Sequence, residues 1–212
     1  MFDVHTHNKS KNQVANAIVN CGIGDDFSLY PRFSLGIHPW NVGDGWENDY
    51  AVLASTLEAL SESGEINRLS AIGEIGLDKV CGVSMEQQLA CFEAQLLLAS
   101  HYGKPVIVHC VKAVDELLAV FARLRFGKPV VFHGFRGKAE QARQLLSKGF
   151  YLSFGLRFHA ESLRLAYASG RMFLETDDSC MDISEVYASA SKALNISATD
   201  ICVPGIFSSA AI

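Results

Sequence analysis

Short apolar runs alternate along the chain with longer stretches in which apolar residues recur every three or four positions. The short runs read as strands and the longer stretches as amphipathic helices. Strands are predicted at 2–4, 17–19, 33–37, 70–75, 105–109, 129–133, 150–154 and 172–176, and helices at 50–62, 83–100, 112–124, 138–147, 160–168 and 183–194. Within 83–100, Leu89, Phe92, Leu96, Leu97 and Ala99 give one apolar face at helical period. Gly103 and Gly149 stand just ahead of the next strand, where a helix end needs a residue tolerant of positive φ. Such alternation predicts successive βα units around a parallel sheet, and eight strands predict an α/β fold of the (β/α)8 TIM barrel class. Segments 8–13 and 25–32 leave little room for full helices, so the barrel is expected to be shortened in its first two crossovers. The alternative is an open doubly wound sheet, but Gly22, Gly24, Gly43 and Gly45 do not supply its usual GxGxxG turn. No repeat, low-complexity tract or linker divides the chain, which predicts residues 1–212 as a single domain.

Composition narrows this picture without changing it. With 49% hydrophobic and 19% charged residues the chain is globular, and disordered or collagen-like classes are excluded. No apolar run approaches the roughly 20 residues of a membrane helix, so no membrane association is expected. The opening MFDVHTHNKS has no basic segment followed by an apolar one, so no signal peptide is read there and a cytoplasmic location is expected. Cys21, Cys81, Cys91, Cys110, Cys180 and Cys202 include no CxxC pair and read as reduced thiols, giving no zinc finger. A net charge of -5 argues against a large basic nucleic-acid surface, and KSKNQ at 9–13 is too short to supply one. No obligate protein partner is evident.

The candidate chemistry lies where polar residues end apolar strands. His5 and His7 end the first predicted strand, His38 the third, Glu74 the fourth, His109 the fifth and His133 the sixth, and Asp177 follows the eighth. Residues two apart in an extended chain point to one side, so His5 and His7 can converge on one ion or flank it. In a barrel the carboxyl ends of all strands share one face, where these residues would surround a common point. Imidazole with carboxylate suits zinc, manganese or iron, whereas magnesium or calcium sites use mostly oxygen. Each residue alone has a plainer reading. A His after a strand can be a hydrogen-bonded rim residue, Glu74 can pair with Lys or Arg, and Asp177 and Asp178 can cap a helix. Six of eight strand ends carrying a potential ligand favours the metal reading. His101 and His159 lie within or beside helices and read as structural or solvent-exposed. Cys110 points away from its neighbour His109 and reads as packing behind it.

Read in order, DVHTH, GIHPW, AIGEIGLD, PVIVHC, VFHGF, YLSFG and LETDD resemble the TatD family of metal-dependent hydrolases, a branch of the amidohydrolase-like TIM barrels. The resemblance runs from Met1 to about Leu194 and implies two divalent metal ions (Zn, Mn or Mg) and phosphodiester hydrolysis of DNA. By motif it implies His5 and His7 as ligands of the first metal, Glu74 as the bridging carboxylate, His109 and His133 as ligands of the second, Asp177 as the acid that binds metal and orients water, and His38 as a substrate-side residue. Relatives commonly read HSRDA after the fifth strand. Here HCVKA stands in its place, with Lys112 or Arg136 as substitutes for the lost phosphate-contacting Arg. Asp178-Ser179 follows ETD where relatives have Ser-Pro or Ala-Pro, and the usual Asn-x-x-x-Leu-Phe helix is not recognisable in NISATDICVPGIFSSAAI.

The expected function is therefore a TatD-type deoxyribonuclease, a 3′-5′ exonuclease acting on DNA or a short oligonucleotide. Asp177 would take the proton of the attacking water and Glu74 would fix the metal spacing. Two divalent cations would bring four positive charges against the two of Glu74 and Asp177, making the site locally positive in an acidic chain. The same site could instead hydrolyse an amide, ester or lactone of a small metabolite, and a non-catalytic metal-binding barrel is the third alternative. Trp40 and Trp46 could line a base-stacking rim or pack within their loop.

Overall fold

The computed structural model describes residues 1–10 and 14–207, so Lys11 to Gln13 of the KSKNQ string and the end of the C-terminal segment lie outside the described residues. Eight strands run in the order β1 to β8 in one sheet: β1 Asp3–Thr6, β2 Ala17–Cys21, β3 Phe33–Leu35, β4 Leu69–Asp78, β5 Val106–Val111, β6 Val130–Phe132, β7 Tyr151–Phe154 and β8 Met172–Leu174. Among the described residues six α-helices stand between and after them: α1 Trp46–Glu62, α2 Met85–His101, α3 Val114–Leu124, α4 Ala139–Ser147, α5 Ala160–Ala168 and α6 Ile183–Leu194. This is the (β/α)8 topology. Among the described residues the first crossover holds only a 3₁₀ turn at Val14–Asn16 and the second, 22–32, holds no helix, so both are short as expected. No described helix is long and apolar enough to cross a membrane.

The chain divides into two compact units, Met1–Val19 with Val130–Ile212, and Asn20–Pro129. In the first, β6, β7 and β8 pair in parallel, as do β1 and β2. A parallel bridge between Thr6 and Asp177 brings the exit of β8 beside β1. Its core draws Val131, Leu152, Phe154 and Phe173 from the strands and Ala142, Leu145, Leu163, Val186 and Tyr187 from α4, α5 and α6.

In the second unit β3, β4 and β5 pair in parallel, and Leu53, Leu57 and Leu60 of α1 line one helical stripe in its core. Strand β4 extends beyond the expected 70–75, and its last turn of chain depends on Gly76, paired with His109 at φ 146. A Cβ at that position would lie 2.0 Å from the His109 carbonyl oxygen, so only glycine lets β4 approach β5 this closely. Helix α2 buries two polar residues, Gln88 and Gln95, on its otherwise apolar face. Helix α3 begins at Val114, so Lys112 stands in the turn before it, at φ 55.

Candidate metal centre

In the first unit the ligand-bearing ends of β1 and β8 are zipped together by backbone. Asp177 N–H donates to the His5 carbonyl (3.0 Å) and His7 N–H to the Asp177 carbonyl (2.8 Å). Asp177 adopts φ 56, a left-handed conformation that Asp tolerates better than most residues. The result is convergence: Nε2 of His5 and of His7 lie 3.8 and 3.7 Å from Asp177 Oδ1, and the three side chains offer ligand atoms within 4.8 Å of one another. His5 is fully buried, while the His7 side chain is 43% exposed. His133, at the end of β6, stacks at a tilt against His5 with ring centroids 4.4 Å apart, and joins Glu175 and Asp177 in a second group of ligand distance.

Two buried acids support this cluster. Glu175 accepts the Gly134 N–H and lies 3.7 Å from His133 Nδ1. Burial alone would raise its pKa, but His133, the His5 charge and the Ser153 hydroxyl hold it below the ordinary carboxylate value. Asp3 Oδ2 is 2.6 Å from Thr176 Oγ1, and its Oδ1 accepts from the backbone N–H of Thr176 (3.1 Å) and His5 (3.3 Å). Here burial wins over the hydrogen bonds and pushes the Asp3 pKa up to about 7.

The second unit builds a cluster from His38, Glu74 and His109, again with ligand atoms within 4.8 Å. Glu74 Oε1 is 2.7 Å from His109 Nδ1 and 3.2 Å from His38 Nε2. Its backbone N–H donates to Asn20 Oδ1 at 2.8 Å. His109 turns its other nitrogen, Nε2, to Asp78 Oδ2 at 3.1 Å. A carboxylate on the far nitrogen fixes the orientation and tautomer of a metal-binding imidazole. Burial works to raise the pKa of Asp78, but hydrogen bonds from the Trp40 indole, the Val80 N–H and His109 keep it lowered.

Helix α2 reaches over to hold both strand ends of this cluster. Gln95 accepts the Ile37 N–H (2.7 Å) and donates to the Ile37 carbonyl (3.1 Å), fixing the chain just before His38. Gln88 makes the same pair with Asp78, at 2.7 and 3.0 Å. Both amides are buried and satisfied.

The structure thus brings His5, His7, His133 and Asp177 together in one unit and His38, Glu74 and His109 together in the other. His38 Nε2 also stands at ligand distance from Glu74. Lys112 is exposed. Arg136, also exposed, lines a pocket of about 200 Å³ with Arg157, Glu175, Asp177, Asp178 and Ser179. The cap of α6 is Asp182, which accepts the Ser184 N–H, not Asp178. Trp46 opens α1 and packs edge-on toward Tyr50. His101 and His159 are exposed, and Cys110 is half-buried. Sequence reading missed Asp78, Glu175 and the two glutamines. Asp78 and Glu175 had a usable signal, since Asp78 follows Glu74 by four residues in one strand and Glu175 precedes Asp177 by two, placing each pair on one side. The glutamines carried none, being ordinary polar residues of a helix.

Imidazole nitrogens with carboxylate oxygens form a donor set suited to a divalent ion of the zinc or manganese kind. The chain matches the family model described as TatD related DNase over residues 21–184. It is 35% identical over 155 residues to a protein of Erwinia billingiae named 3′-5′ ssDNA/RNA exonuclease TatD, covering 68% of this chain and 56% of that protein. A protein of Haemophilus influenzae named an uncharacterized metal-dependent hydrolase is 29% identical over 170 residues, 74% of this chain and 63% of its own length. The chain therefore spans about three fifths of the length of these relatives. Among solved structures, the TatD homologue YJJV from Escherichia coli superposes with a TM-score of 0.74 at 21% identity, covering 95% of this chain and 93% of that one. A hydrolase TatD family protein from Entamoeba histolytica gives 0.73 at 18%, with the same coverage. At these identities the likeness supports the barrel fold.

Proposed function

We propose, from the premise that the chain belongs to the TatD-related DNase family, that it is a divalent-metal-dependent phosphodiesterase that removes nucleotides from the 3′ end of single-stranded DNA or a short oligonucleotide. The observation that carries the reading is the presence, in each compact unit, of a cluster of imidazoles and a carboxylate at strand ends. His5, His7 and Asp177 would hold one ion, Glu74, His109 and His133 complete the set that the family resemblance implies, and two ions of Zn, Mn or Mg are the cofactors. Divalent cations bound there would supply Lewis acidity and an activated water.

The protein's own part is positioning and proton transfer. Asp177 accepts the proton of the attacking water and delivers it to the leaving oxygen, a role worth about 10²-fold to 10⁴-fold. Its left-handed backbone and the strand bridge fix that carboxylate beside the two histidines. His38 orients the substrate, and Lys112 and Arg136 meet its phosphates in place of the Arg missing from HCVKA. Arg136 suits this role because its pocket contains Asp177 and a second guanidinium, Arg157, and planar guanidinium groups bind phosphate oxygens in pairs. Residues 1–212 act as one hydrolase domain in this reading, working in the cytoplasm, where the six free cysteines would stay reduced.

The test is cleavage of a 5′-labelled single-stranded oligonucleotide by the purified protein with Mn²⁺, Mg²⁺ or Zn²⁺, alongside a panel of small esters and lactones. Stepwise loss of 3′ nucleotides that EDTA abolishes is the expected result. Turnover confined to the small esters would transfer the site to metabolite hydrolysis, and full activity in stripped protein would end the metal reading.

A further inference from the structure

Trp40 is the exposed aromatic side chain nearest the second cluster, and the way it is held is unusual for a surface residue. It is 63% exposed, yet it is fixed at two points. Its backbone N–H donates to His38 Nδ1 (3.1 Å) within the single 3₁₀ turn Pro39–Asn41, where Pro39 at the first position stiffens the turn. Its indole Nε1–H donates at 2.7 Å to Oδ2 of the buried Asp78, the same oxygen that receives His109 Nε2. His38 meets the indole edge-on at 5.1 Å and His109 lies at 6.1 Å. An indole left in water but held in one orientation forgoes the burial that ordinarily stabilises a tryptophan, and such pre-organisation lowers the entropic cost of receiving a flat partner.

We propose that the Trp40 indole is a stacking seat for one unpaired nucleobase of the substrate strand. The proposal rests on the phosphodiesterase reading above for the identity of the strand, and on Trp40's own geometry for the seat. Stacking accepts any of the bases, because each has a π-face, and it needs a base that is not sandwiched in a duplex. Trp40 therefore gives preference for single strands over duplex with little preference among sequences. Because Asp78 is shared, the seat and the His109 imidazole are oriented by one carboxylate.

Two measurements decide it. In the first, KM is compared for a single-stranded oligonucleotide and for an abasic strand of the same length and charge. The unsubstituted protein is expected to favour the base-bearing strand. Trp40→Ala is expected to reduce that preference about tenfold or more, while Trp40→Phe, which keeps a ring but loses the indole N–H, retains most of it. If Trp40→Ala and Trp40→Phe lose activity equally on both strands, the residue serves only to orient Asp78 and His109, and the seat is refuted. The second measurement is independent of turnover. Trp40 and Trp46 are the two tryptophans of the chain, so in a Trp46→Phe background the metal-loaded protein reports from Trp40 alone. Saturable quenching of its emission by a cleavage-resistant phosphorothioate oligodeoxyadenylate, and not by the abasic strand, is expected. Absence of quenching overturns the proposal. If the unsubstituted protein cleaves no oligonucleotide, the phosphodiesterase reading fails by that result alone, and the quenching titration still supports or refutes the seat.

Discussion

In the first unit, ligand-bearing strand ends are held by other strands; in the second, they are held from a helix. His5, His7 and Asp177 are aligned by two backbone hydrogen bonds and by Asp3, whose carboxylate reaches from β1 to Thr176. His38 and the Asp78 that orients His109 instead depend on side-chain amides of α2, Gln95 and Gln88. The same residue types are thus positioned by two different means. Strand-to-strand fixing follows from the sheet itself, whereas helix-to-strand fixing requires particular buried polar side chains, which are stabilising only while fully paired.

The largest expected effect separates the two clusters by chemistry. Asp177→Asn should lower kcat about 10²-fold to 10⁴-fold and reduce ion content, while leaving folding stability within about 1 kcal/mol, as expected of a partly exposed position that keeps its hydrogen-bonding shape. A variant that keeps full activity would remove the first cluster from catalysis. The next effect tests how each cluster is held. Gln95→Leu leaves the buried N–H and carbonyl of Ile37 without their partner, at about 1–3 kcal/mol for a buried group left unsatisfied. It should also weaken metal binding to the second cluster. Glu175→Gln keeps an acceptor for the Gly134 N–H and should cost less in urea denaturation. Equal costs would break the contrast between strand-held and helix-held clusters.

A smaller effect concerns Asp3 in metal-stripped protein. Its pKa rises from 3.8 unfolded to about 7 folded, so the folded state binds the proton more tightly. The stabilisation is full below about pH 4 and is lost as pH rises through about 7. Asp3→Asn should flatten the dependence of the denaturation midpoint across that window, and an unchanged slope would show that another group titrates there.

Most of the fold and much of the candidate site could be read from residues alone because both are written with strong periodic signals. The runs 105–109 and 129–133, which carry β5 and β6, are densely apolar and end in His109 and His133, and strand periodicity puts His5 and His7 on one side. Boundaries were less legible. Strand β4 runs to Asp78 because Gly76 permits a close approach that no hydropathy pattern encodes, and α3 starts after Lys112 because that residue takes a left-handed turn. The supporting groups were least legible. Asp3 opens the short strand β1, and Gln88 and Gln95 are polar residues of a helix, so their worth depends on what faces them in three dimensions. Two readings of Trp40 and Trp46 are equal in the sequence, and only the structure shows that Trp40 is exposed and bonded to Asp78, whereas Trp46 packs toward Tyr50.

The spacing of Gln88 and Gln95 has a consequence for how this chain can change length. Seven residues make nearly two helical turns, so the two amides project from one side of α2 about 10 Å apart along its axis. One inserted or deleted residue between them would swing one amide about 100° around the helix and release either Ile37 or Asp78. The outer face of α2, where Leu97 is exposed, can accept substitutions freely, but the interval 88–95 should tolerate no change in length. The helix acts as a ruler between two strand ends, and its gradations are two glutamines.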